Sequence, residues 1–137
     1  MTKNCSSNDI FMRDLSLQER LLRQKQVASG VLISAEDLAA RRGLSLQAVR
    51  KWAEIGKIFS LETNAGHQYY PAFYADSGLH LADLERVSEI LAALPGSSRW
   101  QFFTTPKISL DARTPLQALK DGDVQAVMVS AQGFVER

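Results

Sequence analysis

A run of residues that start and stop helices between positions 34 and 56 constrains the fold more than any other feature of the chain. Ser34 is a favourable N-cap and Gly43 a favourable C-cap, which predicts a first helix of about two turns. Ser45 can cap a second helix, which ends before Gly56. Only residues 43–45 separate the two helices. A short connection that contains glycine between two short helices is typical of a helix-turn-helix.

The segment that follows has the composition of a β-hairpin. In "KIFSLETNAGHQYYPAF", residues 57–73, β-forming residues lie on both sides of "ETNAG". Asn64 and Gly66 are residue types that tolerate positive φ, as a tight turn requires. The pattern predicts a small hairpin directly after the helix-turn-helix, in the position of a wing.

The second helix of this motif is predicted to be amphipathic. Its inner face holds Leu46, Val49 and Trp52, with Ile55 as a fourth candidate. Its start and its outward positions hold polar residues: Ser45, Gln47, Arg50 and Lys51.

These polar residues have the chemistry that reads DNA. In a helix-turn-helix the second helix enters the major groove, where Gln can pair with adenine and Arg with guanine through two hydrogen bonds each. The start of the helix at Ser45 can meet a phosphate. Three further basic residues are predicted to add salt-sensitive backbone contacts, namely Arg41, Arg42 and Lys57.

The rest of the chain is predicted to be helical. A helix over 16–28 begins with a capping box, Ser16 with Glu19, and ends at Gly30. Further helices are predicted over about 81–93, from Ser97 or Ser98 to before Pro106, from Thr114 to Gly122, and after Asp123. The aromatic cluster Trp100, Phe102 and Phe103 is expected in the core.

The predicted fold class is therefore mainly α, with an N-terminal winged helix-turn-helix that contains a small β-hairpin and a C-terminal α-helical bundle. The 137 residues suffice for one domain or two very small ones. We divide them into an N-terminal tail and helix (1–29), a DNA-binding winged helix-turn-helix (30–76) and a C-terminal helical domain (79–137).

The charge is divided between the two parts of the chain. Residues 1–60 hold ten Lys and Arg against six Asp and Glu, whereas residues 61–137 hold six against nine. A basic front and an acidic back favour a protein with two functions over one with a single binding surface.

Several functional classes find no support in the sequence. The single cysteine, Cys5, allows neither an internal disulfide nor a cysteine-based zinc site, and no apolar run approaches the roughly 20 residues of a membrane span. No phosphate-binding loop, dinucleotide fingerprint or hydrolase motif occurs, and the two histidines lie apart. We expect a cytoplasmic protein that is not an enzyme and that uses no cofactor or metal.

The front motifs together resemble a known family. They are "DLA" at 37–39, "GLS" at 43–45, "VRKW" at 49–52 and "GKI" at 56–58, followed by "GHQYYPAF" at 66–73. Over about residues 32–74 this order resembles the winged helix-turn-helix of MerR-like and phage-excisionase-like proteins. The resemblance implies that the partner is double-stranded DNA, that Trp52 belongs to the core, and that the wing contacts DNA near His67 and Tyr69.

The back half resembles a second family. The motifs are "WQFFTTP" at 100–106, "ARTPLQAL" at 112–119 and "GDVQAV" at 122–127, and they resemble the C-terminal domain of the Xre/MbcA/ParS antitoxins. The resemblance implies a homodimeric antitoxin that binds a RES-type, NAD-consuming toxin and represses its own operon. Two elements are candidates for toxin contact: Arg113, and the tail Phe134, Val135, Glu136 and Arg137.

Purely structural interpretations of these elements stay open, and the alternative for residues 34–56 is a plain helical hairpin with solvated charges. Arg113 is more simply a structural residue that satisfies carbonyls at a helix end or an acidic side chain, and the tail is exposed by its position and expected to fray. Two alternative functions also remain: a stand-alone regulator or excisionase-like protein without a toxin, and a protein-interaction module with a vestigial helix-turn-helix. For dimerisation, the N-terminal helix with Leu17, Leu21 and Leu22 and the C-terminal bundle are both candidates.

Overall fold

The computed structural model describes residues 17–63 and 66–136, which form a mainly helical fold with a small three-stranded antiparallel sheet. The elements in chain order are α1 (17–28), β1 (Leu32–Ile33), α2 (Ala35–Arg42), α3 (Leu46–Glu54), β2 (Leu61–Glu62), β3 (Gln68–Pro71), α4 (Leu81–Ile90), α5 (Gly96–Thr104), α6 (Pro115–Lys120) and α7 (Val124–Val135). Short 3₁₀ helices cover Ala72–Ala75 and Ile108–Leu110. In the described part of the chain no helix is long and apolar enough to cross a membrane.

The predicted caps of α2 and α3 are confirmed. The Ser34 hydroxyl accepts a hydrogen bond from the Asp37 N–H, and the Ser45 hydroxyl accepts one from the Ala48 N–H, at 3.1 and 3.0 Å. Gly43 has φ of 68°, the left-handed conformation in which glycine is favoured at a helix end. Local capping chemistry therefore fixes both helices and the tight connection between them.

The sheet contains the predicted hairpin and one strand that was not predicted. Leu61 pairs with Tyr69 across the hairpin of β2 and β3. On the other side of β3, Ile33 of β1 pairs with Tyr70. The predicted second strand is also shorter than expected, because the chain turns at Pro71 into a 3₁₀ helix that buries Tyr74.

One continuous aromatic core joins the sheet to the C-terminal helices. The ring of Phe59, just before β2, stacks on Phe103 of α5 at 6.1 Å, and Phe73 stacks on Trp100 at 5.9 Å. The Tyr74 hydroxyl lies 2.6 Å from the buried hydroxyl of Ser88 on α4. The prediction that the Trp100, Phe102 and Phe103 cluster is core is confirmed: both phenylalanines are fully buried and the tryptophan packs against them partly exposed.

Two predicted helix starts differ in detail. Helix α5 begins after Pro95 with no side-chain cap, so neither Ser97 nor Ser98 is its N-cap as predicted. Pro95 itself occupies the N-cap position, with the extended backbone of φ −60° and ψ 156°. Asp123 does occupy the N-cap position of α7 but makes no capping hydrogen bond, because its carboxylate pairs with Arg113.

The helix predicted at the N-terminus is present over 17–28, and Gly30 after it has a left-handed φ of 83°. Its predicted capping residue, Ser16, lies outside the described residues. At the other end of the chain, the prediction of a frayed, exposed tail is wrong for Phe134 and Val135. Helix α7 extends to Val135, and both side chains pack half-buried against the core.

Candidate nucleic-acid interface

Helix α3 presents a continuous polar stripe to solvent. Gln47, Arg50, Lys51 and Glu54 are all exposed, and their spacing of three, four and seven residues places them on one face of the helix. The opposite face is fixed by Val49, which is fully buried, and by Trp52 and Leu46, which are partly buried. Ile55, the fourth candidate for the inner face, is instead 54% exposed, because α3 ends at Glu54 and the chain turns away at Gly56.

The two cations of this stripe share its face with one acidic residue, Glu54. Among the described residues, neither Arg50 nor Lys51 takes part in a salt bridge. Arg50 nevertheless lies close enough to β3 to act on Tyr70: burial raises the pKa of that phenol, and the positive charge of Arg50 opposes the rise. The positive charge of α3 is therefore directed to solvent beside the hairpin.

A groove of about 460 Å³ lies between α2, α3 and the hairpin. Arg50 lies on one wall and His67 and Tyr69 lie on another, so the structure brings together residues that were predicted from separate motifs. His67 is exposed, and its carbonyl closes the hairpin by accepting from the Thr63 N–H at 2.8 Å. Glu36, at the start of α2, places a carboxylate at the same groove.

The two adjacent arginines at the end of α2 differ in their surroundings. Arg41 is exposed at the last turn of the helix. Arg42 turns its guanidinium toward the 3₁₀ segment, where it donates hydrogen bonds to the carbonyls of Tyr74, Asp76 and Leu79. The structure therefore gives Arg42 a role in holding the fold, which differs from the predicted contact with the DNA backbone.

Ser45 and Lys57 also have partners within the protein. The Ser45 hydroxyl caps α3, so the group that would meet a phosphate at this point is the exposed start of the helix. Lys57 lies 3.8 Å from the Glu85 carboxylate and over the ring of Trp52 at 5.9 Å. Burial raises the pKa of Glu85, and Lys57 opposes this rise. Lys57 thus links α3 to α4, with its side chain 38% exposed.

The predicted toxin-contacting residues are largely occupied by internal contacts. The Arg113 guanidinium binds Asp121 at 3.0 Å and Asp123 at 2.7 Å, and its Nε donates to the Leu110 carbonyl at 2.9 Å. Hydrogen bonds to Asp123 first, and then to Asp121, raise the pKa of Arg113 further. Arg113 therefore has the structural role that the sequence favoured, since it binds a backbone carbonyl and acidic side chains of the same chain.

The tail residues are distributed between core and surface. The ring of Phe134 lies 5.3 Å from that of Phe102, and the Lys107 ammonium lies 4.6 Å from the Phe134 ring. Val135 is half-buried and Glu136 is exposed, while Arg137 lies outside the described residues.

Sequence reasoning passed over one residue of the candidate interface, Glu54. The signal was available, because Glu54 follows Gln47 by seven positions on an amphipathic helix. A carboxylate there can accept from the amino group of cytosine, and it also repels phosphates. Within the described residues no group of His, Cys, Asp and Glu side chains is arranged to hold a metal ion.

No protein-family model, curated protein or solved structure matches this chain.

Proposed function

We propose that the protein is a sequence-specific, double-stranded-DNA-binding transcriptional regulator that uses α2, α3 and the hairpin as a winged helix-turn-helix. The observation that supports this most is the stripe on α3: two cations that form no salt bridge with other described residues, and an amide, on one face of a short helix whose other face is anchored in the core. An α-helix with its side chains is about 10–12 Å across, which fits the roughly 12 Å width of the major groove.

The roles in this proposal follow from donor and acceptor chemistry. Gln47 pairs with an adenine and Arg50 with a guanine in the major groove. Lys51, Arg41 and the start of α3 at Ser45 bind phosphates, which fixes the position of α3 on the duplex. The hairpin with His67 and Tyr69 lies beside Arg50, so it contacts the backbone or the adjacent minor groove.

A toxin partner is the second part of the proposal. We infer it from the resemblance of residues 79–137 to antitoxin C-terminal domains and from the acidic balance of the back half. In this proposal the protein neutralises a RES-type toxin and represses the operon that encodes both. Coexpression with the adjacent open reading frame tests it: the protein should prevent growth arrest and NAD loss caused by that reading frame, and arrest unrelieved by the protein contradicts the toxin pairing.

The DNA proposal is tested with the duplex upstream of the protein's own gene and a random duplex of equal length, across a salt series. We expect tighter binding to the upstream duplex by a factor of about 10³ or more, with both affinities falling as salt rises. Equal affinity for the two duplexes contradicts sequence-specific regulation. No binding to either duplex at low salt by the folded protein contradicts DNA binding itself.

A further inference from the structure

The exposed face of α7 has no charge. The whole helix, Val124–Val135, lacks Asp, Glu, Lys and Arg, which holds for no other α-helix in the described part of the chain. Val127 and Ala131 are buried, whereas Val129 on the outer side is 58% exposed. A surface helix ordinarily places charged residues opposite its buried face, and an uncharged, partly apolar outer face is typical of an interaction surface.

A groove of about 700 Å³ runs along this face. Its lining combines small side chains with Val129: Ser109, Gln125, Ala126, Val129, Ser130 and Gly133. A Cβ atom added at Gly133 would meet no atom within 4 Å beyond its chain neighbours and the backbone of its own helix, so the space above this glycine is open. The groove can therefore accept an apolar side chain from another molecule.

An apolar side chain protrudes beside the groove. Ile108 is 96% exposed, and the next residue, Ser109, lies 3.3 Å from Ser130 of α7 through their hydroxyls. The loop is held in a costly conformation, since Asp111 and Ala112 both have positive φ, at 56° and 64°. The contacts of Arg113 with Leu110 and the two aspartates fix it. The Ile108 side chain therefore protrudes into solvent from a fixed loop, and no described residue buries it.

We infer that this face is the dimer interface of the protein, occupied by a second copy of the same chain. A protruding side chain and a groove on one patch are what a two-fold symmetric interface needs, because each copy then supplies both halves of the contact. Ile108 of each copy packs into the other copy's groove over Ala126 and Gly133. Since the groove lining is uncharged, the two identical faces meet without like-charge repulsion.

This inference does not rest on the DNA proposal, because the oligomeric state is measured without DNA. The competing surface is α1, where Leu17, Leu21 and Leu22 are each about half exposed. The charged residues Glu19, Arg20 and Arg23 of that helix line a pocket with β2 and the start of α5, which leaves the leucines on the outer side. Helix α1 therefore supplies the matched control.

The test is sedimentation equilibrium of the full-length chain over a concentration series. We expect the wild type to be a dimer. For both Ile108→Asp and Gly133→Leu, the dissociation constant of the dimer should rise at least about tenfold. The first variant alters a side chain already in solvent. The second fills open space and replaces a poor helix former, so its protomer should be at least as stable as wild type. Leu21→Asp should dimerise like wild type.

Circular dichroism and thermal unfolding of each variant confirm that the protomers are folded. A wild type that is monomeric at concentrations on the order of 100 µM overturns the inference, since such an affinity is too weak for a stable dimer. A dimer that Leu21→Asp dissociates while Ile108→Asp and Gly133→Leu do not places the interface on α1, and also overturns it.

Discussion

Arg41 and Arg42 are neighbours in sequence with the same chemistry and different surroundings. Arg42 satisfies three carbonyls where the chain leaves the 3₁₀ helix, and Arg41 faces solvent. The sequence predicted both as DNA contacts, because residue type and helix position are local properties. The carbonyls that Arg42 binds lie more than 30 residues later in the chain, at Tyr74, Asp76 and Leu79, so no local pattern could identify them.

The two arginines should therefore separate stability from DNA affinity. Arg42→Met leaves three backbone carbonyls without their donor, and we expect it to lower the free energy of unfolding by about 2 kcal/mol. Arg41→Met should change stability by less than about 0.5 kcal/mol but weaken DNA binding. Urea denaturation and duplex titration of both variants measure this. Equal loss of stability in the two variants contradicts the assigned roles.

At the scale of elements, the turn and helices of the candidate interface were predictable because their signals are local. Ser34, Gly43 and Ser45 act on backbone groups within four residues, so the limits of α2 and α3 could be derived from the sequence. Strand β1 has two residues, and its pairing with β3 joins positions 37 or more residues apart, so no periodicity indicated it. The start of α5 was predicted too late in the chain. Ser97 and Ser98 are residue types that favour the N-cap, whereas the helix begins at Gly96 with Pro95 at the N-cap position.

Substitution of the uncharged residue Gln47 and of the acidic residue Glu54 on the α3 stripe should change DNA binding in opposite directions. Gln47→Ala should reduce the preference for the upstream duplex over random DNA by about tenfold, because it removes a contact to a base edge. Glu54→Gln should strengthen binding to random DNA, because it removes a negative charge that faces phosphates. Competition titrations with both duplexes measure this. If Gln47→Ala weakens binding to the two duplexes equally, Gln47 does not read a base.

At the scale of the whole molecule, the front and back of the chain are built on one core. The aromatic residues of the C-terminal helices were recognisable as core from their composition, but their partners Phe59 and Phe73 lie in the front half. At two glycines the backbone of one half lies so close to the other half that no side chain would fit without a shift. A Cβ at Gly56 would lie 2.9 Å from that of Ala92, and one at Gly96 would lie 2.6 Å from the Ser60 carbonyl oxygen.

Gly96→Ala tests this shared core. The added methyl group meets backbone and cannot be relieved by a side-chain rotation, so we expect a loss of about 1–3 kcal/mol in the free energy of unfolding. Gly133→Ala, which meets nothing beyond its own helix backbone and chain neighbours, is the control and should be neutral or stabilising at protein concentrations at which the chain is monomeric.

The two tryptophans report on the two halves, Trp52 in α3 and Trp100 in α5. Trp52→Phe and Trp100→Phe each leave one fluorescent reporter, and both reporters should follow a single unfolding transition that Gly96→Ala shifts equally. Two separate transitions would contradict a shared core.

The most direct test of the central claim, that the exposed stripe of α3 binds DNA, is the salt dependence of affinity for the upstream duplex. Wild type is compared with Arg50→Ala/Lys51→Ala and with Arg86→Ala/Lys120→Ala, which removes the same charge from α4 and α6. The α3 variant should lose preference for the upstream duplex and show a slope of log K against log salt that is shallower by about one to two units. The control should match wild type. Equal changes in the two variants would show that net charge, and not the face of α3, governs binding.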